Sequence, residues 1–270
     1  MIINNSLSFI VGCCIGSFIN VIIYRLPIGE SILFPGSHCF NCNYNIRWYE
    51  NIPIISWVFL RGKCISCNEK ISLTYPFIEL IVGFLFLLNN YSSPPRILED
   101  SDLITLIFGS IFISILLILA ILDYKYLWLP SSICNIGILL GVLLSLIITI
   151  SYQNINDNYL ILETLIALGL GYLIFQVISL IGLRIYKKPA MGIGDSKLAA
   201  LLGSWLGIKG LGVSIWLSFI LAGIFVIIGL ISKKIRRDQK IPFGSFLALS
   251  GLLVWYFGAD TFFNLIFLRS

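Results

Sequence analysis

Long apolar runs, separated by short polar breaks, dominate the chain. A membrane-spanning helix needs about 17–25 mostly apolar residues. On that measure the pattern predicts spans over residues 6–24, 73–91, 103–122, 131–150, 159–183, 196–208, 211–232 and 242–267. The sixth is short and ends before Lys209 and Gly210. A span of that length must tilt, re-enter the membrane, or be covered by its neighbours. The expected fold class is an all-α polytopic membrane protein of about eight transmembrane helices. A polar loop, about residues 25–72, separates helices 1 and 2. Two parts are expected: an N-terminal region over 1–91, which carries that loop, and a membrane-embedded remainder over 92–270. No convincing internal repeat or low-complexity linker stands out.

Composition agrees with this pattern. Hydrophobic residues make up 58% of the 270 and charged residues 11%, against about 25% charged in soluble domains. The net charge of +5 points to topology and not to nucleic acid. With eight spans and the N-terminus outside, 15 of the 18 basic residues fall inside, and only Arg96, Lys209 and Arg269 fall outside. That is the distribution of basic residues expected of cytoplasmic loops. Removing the sixth span would put Lys233, Lys234, Arg236, Arg237 and Lys240 outside, so the charge favours keeping it. No basic residue precedes Arg25, so the first span reads as a retained helix, not a cleaved signal.

The polar loop holds Cys39-Phe-Asn-Cys42 and Cys64-Ile-Ser-Cys67. Two such pairs form the pattern of a closed four-cysteine zinc site. The alternative is free or redox-active thiols, and the doubled spacing favours zinc. A reducing cytoplasm argues against disulfides. A loop this small has little core of its own and would gain order from the metal. Cys13, Cys14 and Cys134 lie in spans and read as small apolar residues. His38 is the only histidine, and nothing marks a serine or cysteine nucleophile for it to activate.

Acidic residues at membrane edges carry the other signal, because charge near hydrocarbon is costly and marks function. Asp123 closes the third span, and Asp195 opens the sixth in Gly192-Ile-Gly194-Asp195-Ser-Lys197. Both fall on the cytoplasmic side of the predicted topology. Paired carboxylates suit shared-proton chemistry, in which one acid stays protonated and the other activates water. Each also has a plain reading. Asp195 caps a helix, and Asp123 is a solvated helix end. Gly192 and Gly194 permit positive φ and a close backbone approach. Glu79, inside the second span, reads as a helix-start residue or as part of a polar site.

These residues resemble the type IV prepilin leader peptidase family, a group of GxGD aspartic proteases. Gly16-Ser-Phe-Ile-Asn-Val-Ile-Ile-Tyr-Arg-Leu-Pro27 resembles the family's opening motif, and the two CxxC pairs follow in order. Asn51–Trp57, Leu60–Cys64 and Ile71–Glu79 resemble later blocks. Gly192–Lys197 matches the GxGDxK signature, and Ile241–Ala248 resembles the last block. The departure is Ser131 after Pro130, where the family usually has an acid or amide.

The resemblance implies a bacterial inner-membrane enzyme whose active site faces the cytoplasm. Its peptidase core would be 92–270, with Asp123 and Asp195 catalytic. Its substrates would be prepilins or pseudopilins, met among membrane lipid. It also implies N-methylation of the new terminus from S-adenosylmethionine, with Glu79 as a candidate for that site. A presenilin-like protease would share the aspartates but not the cysteine loop. The readings from other classes are an ion or proton transporter using the aspartate pair, and a non-catalytic zinc-containing scaffold of a pilus or secretion machine.

Overall fold

The computed structural model describes residues 5–91, 102–151, 158–187, 191–236 and 239–267. Of the segment 92–102 between the second and third expected spans, residues 92–101, Arg96 among them, lie beyond these, as do Lys188, Arg237 and Arg269. The described residues are helical apart from loops and two isolated β-bridges. They fall into two compact units, Met1–Tyr91 and Ser92–Ser270. Among the described residues five helices are long and apolar enough to cross a membrane, and the chain is a multi-pass membrane protein.

In the first unit, α1 (Asn5–Arg25) packs along α3 (Thr74–Asn89), with the short α2 (Ile55–Phe59) in the loop between them. Gly12 and Gly16 set the approach. A methyl group on Gly12 would lie 2.8 Å from Gly83 Cα, and one on Gly16 would lie 2.7 Å from Glu79 Cα. Small residues four apart permit this in a membrane, where close packing replaces the hydrophobic drive. The Arg25 guanidinium donates to the carbonyls of Ser31, Pro35 and Gly36 at 3.2, 2.7 and 3.1 Å. It therefore ties down the first turn of the loop, beyond serving as a topological charge.

The second unit holds α4 (Asp102–Tyr126), α5 (Ser131–Ser151), α6 (Asn158–Tyr186), α7 (Ile193–Ile231), α8 (Phe243–Phe257) and α9 (Ala259–Phe267). Its centre is the first arm of α7, whose residues 198–207 are all buried. Phe112 stacks on Trp205 at 4.7 Å, Trp255 closes the cluster, and Trp205 Nε1 donates to the Gly137 carbonyl at 2.8 Å. Cover from neighbours is how this short span is accommodated.

α7 is two arms broken at Gly207 (φ 72°, ψ −174°), a conformation essentially confined to glycine. The first arm runs antiparallel to α6, because Ile208, Gly203, Ala199 and Met191 sit against Glu163, Ala167, Gly171 and Ser179 in turn. The second arm runs back, since Phe243 touches both Phe175 and Phe219. The expected sixth and seventh spans are therefore both present, with the break at 207 instead of 209–210. The second arm returns Lys233 and Lys234 to the end that carries Asp195.

The last expected span, 242–267, is not continuous. Gly258 (φ 76°, ψ 150°) ends α8 and separates it from α9. α3 and α8 hold only 16 and 15 residues, so a count of eight full spans is approximate.

Candidate functional site

Two constellations stand out, one in each unit. In the first unit the two CxxC segments fold as copies 25 residues apart. The Cys39 amide donates to Tyr44 O at 2.9 Å, and the Cys64 amide to Glu69 O at 2.8 Å. The Asn43 amide closes back on Cys39 O, and the Asn68 amide on Cys64 O. Both asparagines are left-handed, with φ of 54° and 60°, a conformation that asparagine tolerates better than most residues. This local repeat, Cys-x-x-Cys-Asn, was legible in the sequence and missed there.

The four sulfurs lie within 4.8 Å of one another. Cys39 Sγ to Cys67 Sγ is 3.8 Å, and Cys42 Sγ to Cys64 Sγ is 3.9 Å. Zinc–sulfur bonds of about 2.3 Å in a tetrahedron demand sulfur separations of about 3.8 Å. Cys39, Cys42, Cys64 and Cys67 thus fit a closed structural zinc site. The Cys42 and Asn41 amides point at Cys39 and lower its thiol to about 6. At Cys67 the Glu69 amide acts downward, but desolvation and the three neighbouring thiols outweigh it and hold this thiol up at about 11. The cluster thus stabilises a negative charge at Cys39 first.

In the second unit Asp123 is buried, 6% exposed, in the last turns of α4. It is not the solvated helix end that a plain reading expects. Its Oδ2 accepts from the Ser245 amide at 2.7 Å and the Ser245 hydroxyl at 3.2 Å. This carboxylate therefore docks on the N-terminus of α8, where unpaired amides and the helix dipole favour an anion. Asp195 is held in the same way at the start of α7, its Oδ2 accepting from the Gly192 amide at 3.0 Å. The capping role of Asp195 is real and does not compete with a chemical one.

Leu129 links the two acids. A methyl on Gly194 would fall 2.7 Å from Leu129 Cβ. A methyl on Gly244 would fall 2.7 Å from Leu129 Cδ1 and 3.1 Å from Asp123 Oδ2. The carboxylates of Asp123 and Asp195 are close enough for their charges to interact. Gly192 and Gly194 serve the site differently from the sequence expectation. Gly192 is extended, with φ −76° and ψ 155°, and Gly194 lies in the first helical turn. Neither adopts positive φ; what position 194 requires is room. Lys197 and Asp195 both lie near buried Cys134 on α5. Ser131 is exposed at the start of α5. Sequence reasoning missed Ser245 and Leu129, although the block over 241–248 had marked the right segment.

Glu79 lies in the first unit, 7% exposed. Its Oε2 accepts from the Ile54 amide at 2.7 Å, and the Ser17 hydroxyl also bonds to it. It does not start a helix, since α3 begins five residues earlier.

Residues 10–92 match the bacterial peptidase A24 N-terminal domain, and residues 110–227 match the type IV leader peptidase family. A prepilin leader peptidase/N-methyltransferase of Myxococcus xanthus (strain DK1622) is 32% identical over 254 residues, which is 92% of this chain and 71% of that protein. One of the same name from Neisseria gonorrhoeae is 31% identical, over 92% of this chain and 89% of its own length. Another, from Klebsiella pneumoniae, is 35% identical, over 76% and 86%. No solved structure matches the chain. With two family regions in order and relatives aligned along nearly its whole length, the chain belongs to the type IV leader peptidase family.

Proposed function

We propose that this chain removes the leader peptide of type IV prepilins or pseudopilins and then N-methylates the new terminus. The carrying observation is that two carboxylates distant in sequence sit around Leu129, each anchored through Oδ2 at a helix N-terminus. Anchoring one oxygen of each acid fixes both and leaves the pair to share a proton. The ionised partner takes a proton from water as it attacks the scissile carbonyl, and the protonated partner gives one to the departing amine. The backbone of the substrate approaches where Gly194 and Gly244 leave space. The reaction takes place at the cytoplasmic face of the bacterial inner membrane, because Asp123, Asp195 and the basic residues 233–234 share one end of the second unit and basic residues mark the inside.

The methyl donor is S-adenosylmethionine, and the first unit holds it. Zinc at the four cysteines orders the loop and takes no part in either reaction. The names of the relatives speak for this reading and do not favour a proton relay or a scaffold. Coexpression with a prepilin, followed by mass spectrometry of the pilin N-terminus, tests it. The expected product is shortened and one methyl group heavier. An intact prepilin in the presence of well-expressed, membrane-inserted enzyme would contradict it.

A further inference from the structure

The first unit contains a cavity of about 410 Å³, within the usual range for small-molecule sites of about 300–1,000 Å³. Its walls are the last turns of α1, the cysteine loop and the start of α3. Tyr24, Phe40, Trp57 and Tyr75 line it, with Tyr24 and Phe40 rings 4.2 Å apart. Aromatic faces attract cations, including onium ligands. Glu79 also lines it, buried. The hydrogen bonds Glu79 receives from Ile54 and Ser17 are from neutral donors, so they leave its charge uncompensated.

Of the other charged or titratable side chains facing this space, Cys39 and Cys64 belong to the four-cysteine site. Arg25 is spent on three backbone carbonyls. Glu50 accepts from Tyr44 and from the Arg47 amide. His38 contacts the Gly36 carbonyl, and Glu69 and Lys70 are exposed. Cys13, on α1, is near enough to Glu79 to feel its charge. A buried carboxylate in an aromatic chamber is a site for a cation that it can also deprotonate.

We propose that this cavity is the methyl-transfer chamber, and that Glu79 receives the proton of the acceptor α-ammonium group. The inference rests on the methyltransferase reading above. The ammonium gives one proton to the Glu79 carboxylate and becomes a free amine. The nitrogen lone pair then forms the N–C bond with the donor methyl group as the C–S bond breaks, its electron pair going to sulfur. A sulfonium thereby becomes a neutral thioether. The product leaves as a methylammonium, and Glu79 returns its proton to water. The aromatic wall takes the sulfonium side, and Glu79 takes the amine side.

Glu79→Gln separates this role from a structural one. A glutamine oxygen still accepts from the Ile54 amide, but it cannot take a proton. Methylation of pilin already stripped of its leader is measured from pH 6.5 to 9, with S-adenosylmethionine as donor. Binding of S-adenosylhomocysteine is measured alongside by equilibrium dialysis. General-base catalysis contributes about 10²–10⁴-fold, so the Gln variant should fall by that order at pH 6.5. The deficit should shrink as pH passes the α-amine range of about 7.7–8.0, where solvent deprotonates the acceptor. Binding of the thioether should stay at the wild-type level, because a thioether has no proton to give to Glu79. Glu79→Asp should be slower but keep the wild-type pH profile.

A deficit that does not change with pH, loss of thioether binding in the Gln variant, or an Asp variant with the Gln profile would overturn the role of Glu79. If wild-type protein strips leaders yet never transfers a methyl group, the methyltransferase reading itself fails, and this inference falls with it.

Discussion

Cys39 opens the first CxxC turn and Cys67 closes the second, and their thiols are shifted in opposite directions. Two amides aimed at Cys39 hold it near 6, so it is a thiolate at neutral pH. Cys67, near 11, keeps its proton there. While the loop keeps this geometry, iodoacetamide should label Cys39 faster than Cys67 at pH 7, because the amides favour the thiolate at Cys39 and desolvation with the neighbouring thiols disfavours it at Cys67. Peptide mapping after a short pulse of iodoacetamide reads this, and faster labelling of Cys67 at pH 7 would contradict it. Among the acids, Asp123 accepts the Ser245 amide at 2.7 Å, while the one proton of the Ser245 hydroxyl is shared between Asp123 at 3.2 Å and the Ala120 carbonyl at 2.8 Å. Ser245→Ala removes only the hydroxyl, so leader cleavage should fall less than about tenfold, in keeping with about 1 kcal/mol for one hydrogen bond. A loss of several orders of magnitude would mean that the hydroxyl does more than position Asp123. Asp123 itself was legible in the sequence because charge at a membrane edge stands out. Its anchor was not, since the start of α8 lies 122 residues further on and only folding brings the two together.

Among the elements, α7 shows what periodicity and charge can reveal. The apolar pattern ends a short sixth span before Lys209, the charge distribution favours keeping that span, and the reversal is there at Gly207. Its exact residue was not legible, because the glycine-only conformation leaves no mark on an apolar sequence that contains many glycines. Gly207→Ala should cost about 1–3 kcal/mol through backbone strain, visible as a lower unfolding midpoint in detergent. An unchanged midpoint would show that the arms tolerate another turn. Between elements, Gly194 and Leu129 compete for one space. Gly194→Ala should strongly reduce cleavage, and adding Leu129→Ala should recover part of the loss, as directly touching residues couple. Purely additive defects in the double variant would remove Leu129 from the site. The last span failed as a continuous helix because Gly258 breaks it, and hydropathy is blind to such a break.

For the whole molecule, the chain divides into two compact units, and the proposed function assigns one chemistry to each. Cys39→Ser with Cys42→Ser should release about one zinc per chain, abolish methylation and leave substantial leader cleavage. The readouts are metal analysis and mass spectrometry of the pilin terminus. Equal loss of both activities would make the units one functional body. The helical membrane fold and the cysteine cluster were readable from the chain because each has a strong local pattern. The cavity around Glu79 was not, because its walls come from α1, the loop and α3 together. The central claim is that Asp123 and Asp195 share the proton chemistry of cleavage, and isosteric substitution tests it most directly. Leader removal by purified Asp123→Asn and Asp195→Asn proteins, each with a wild-type unfolding midpoint, should be undetectable, because an amide neither takes nor gives the proton. Cleavage by either variant at a rate near that of wild type would contradict the account.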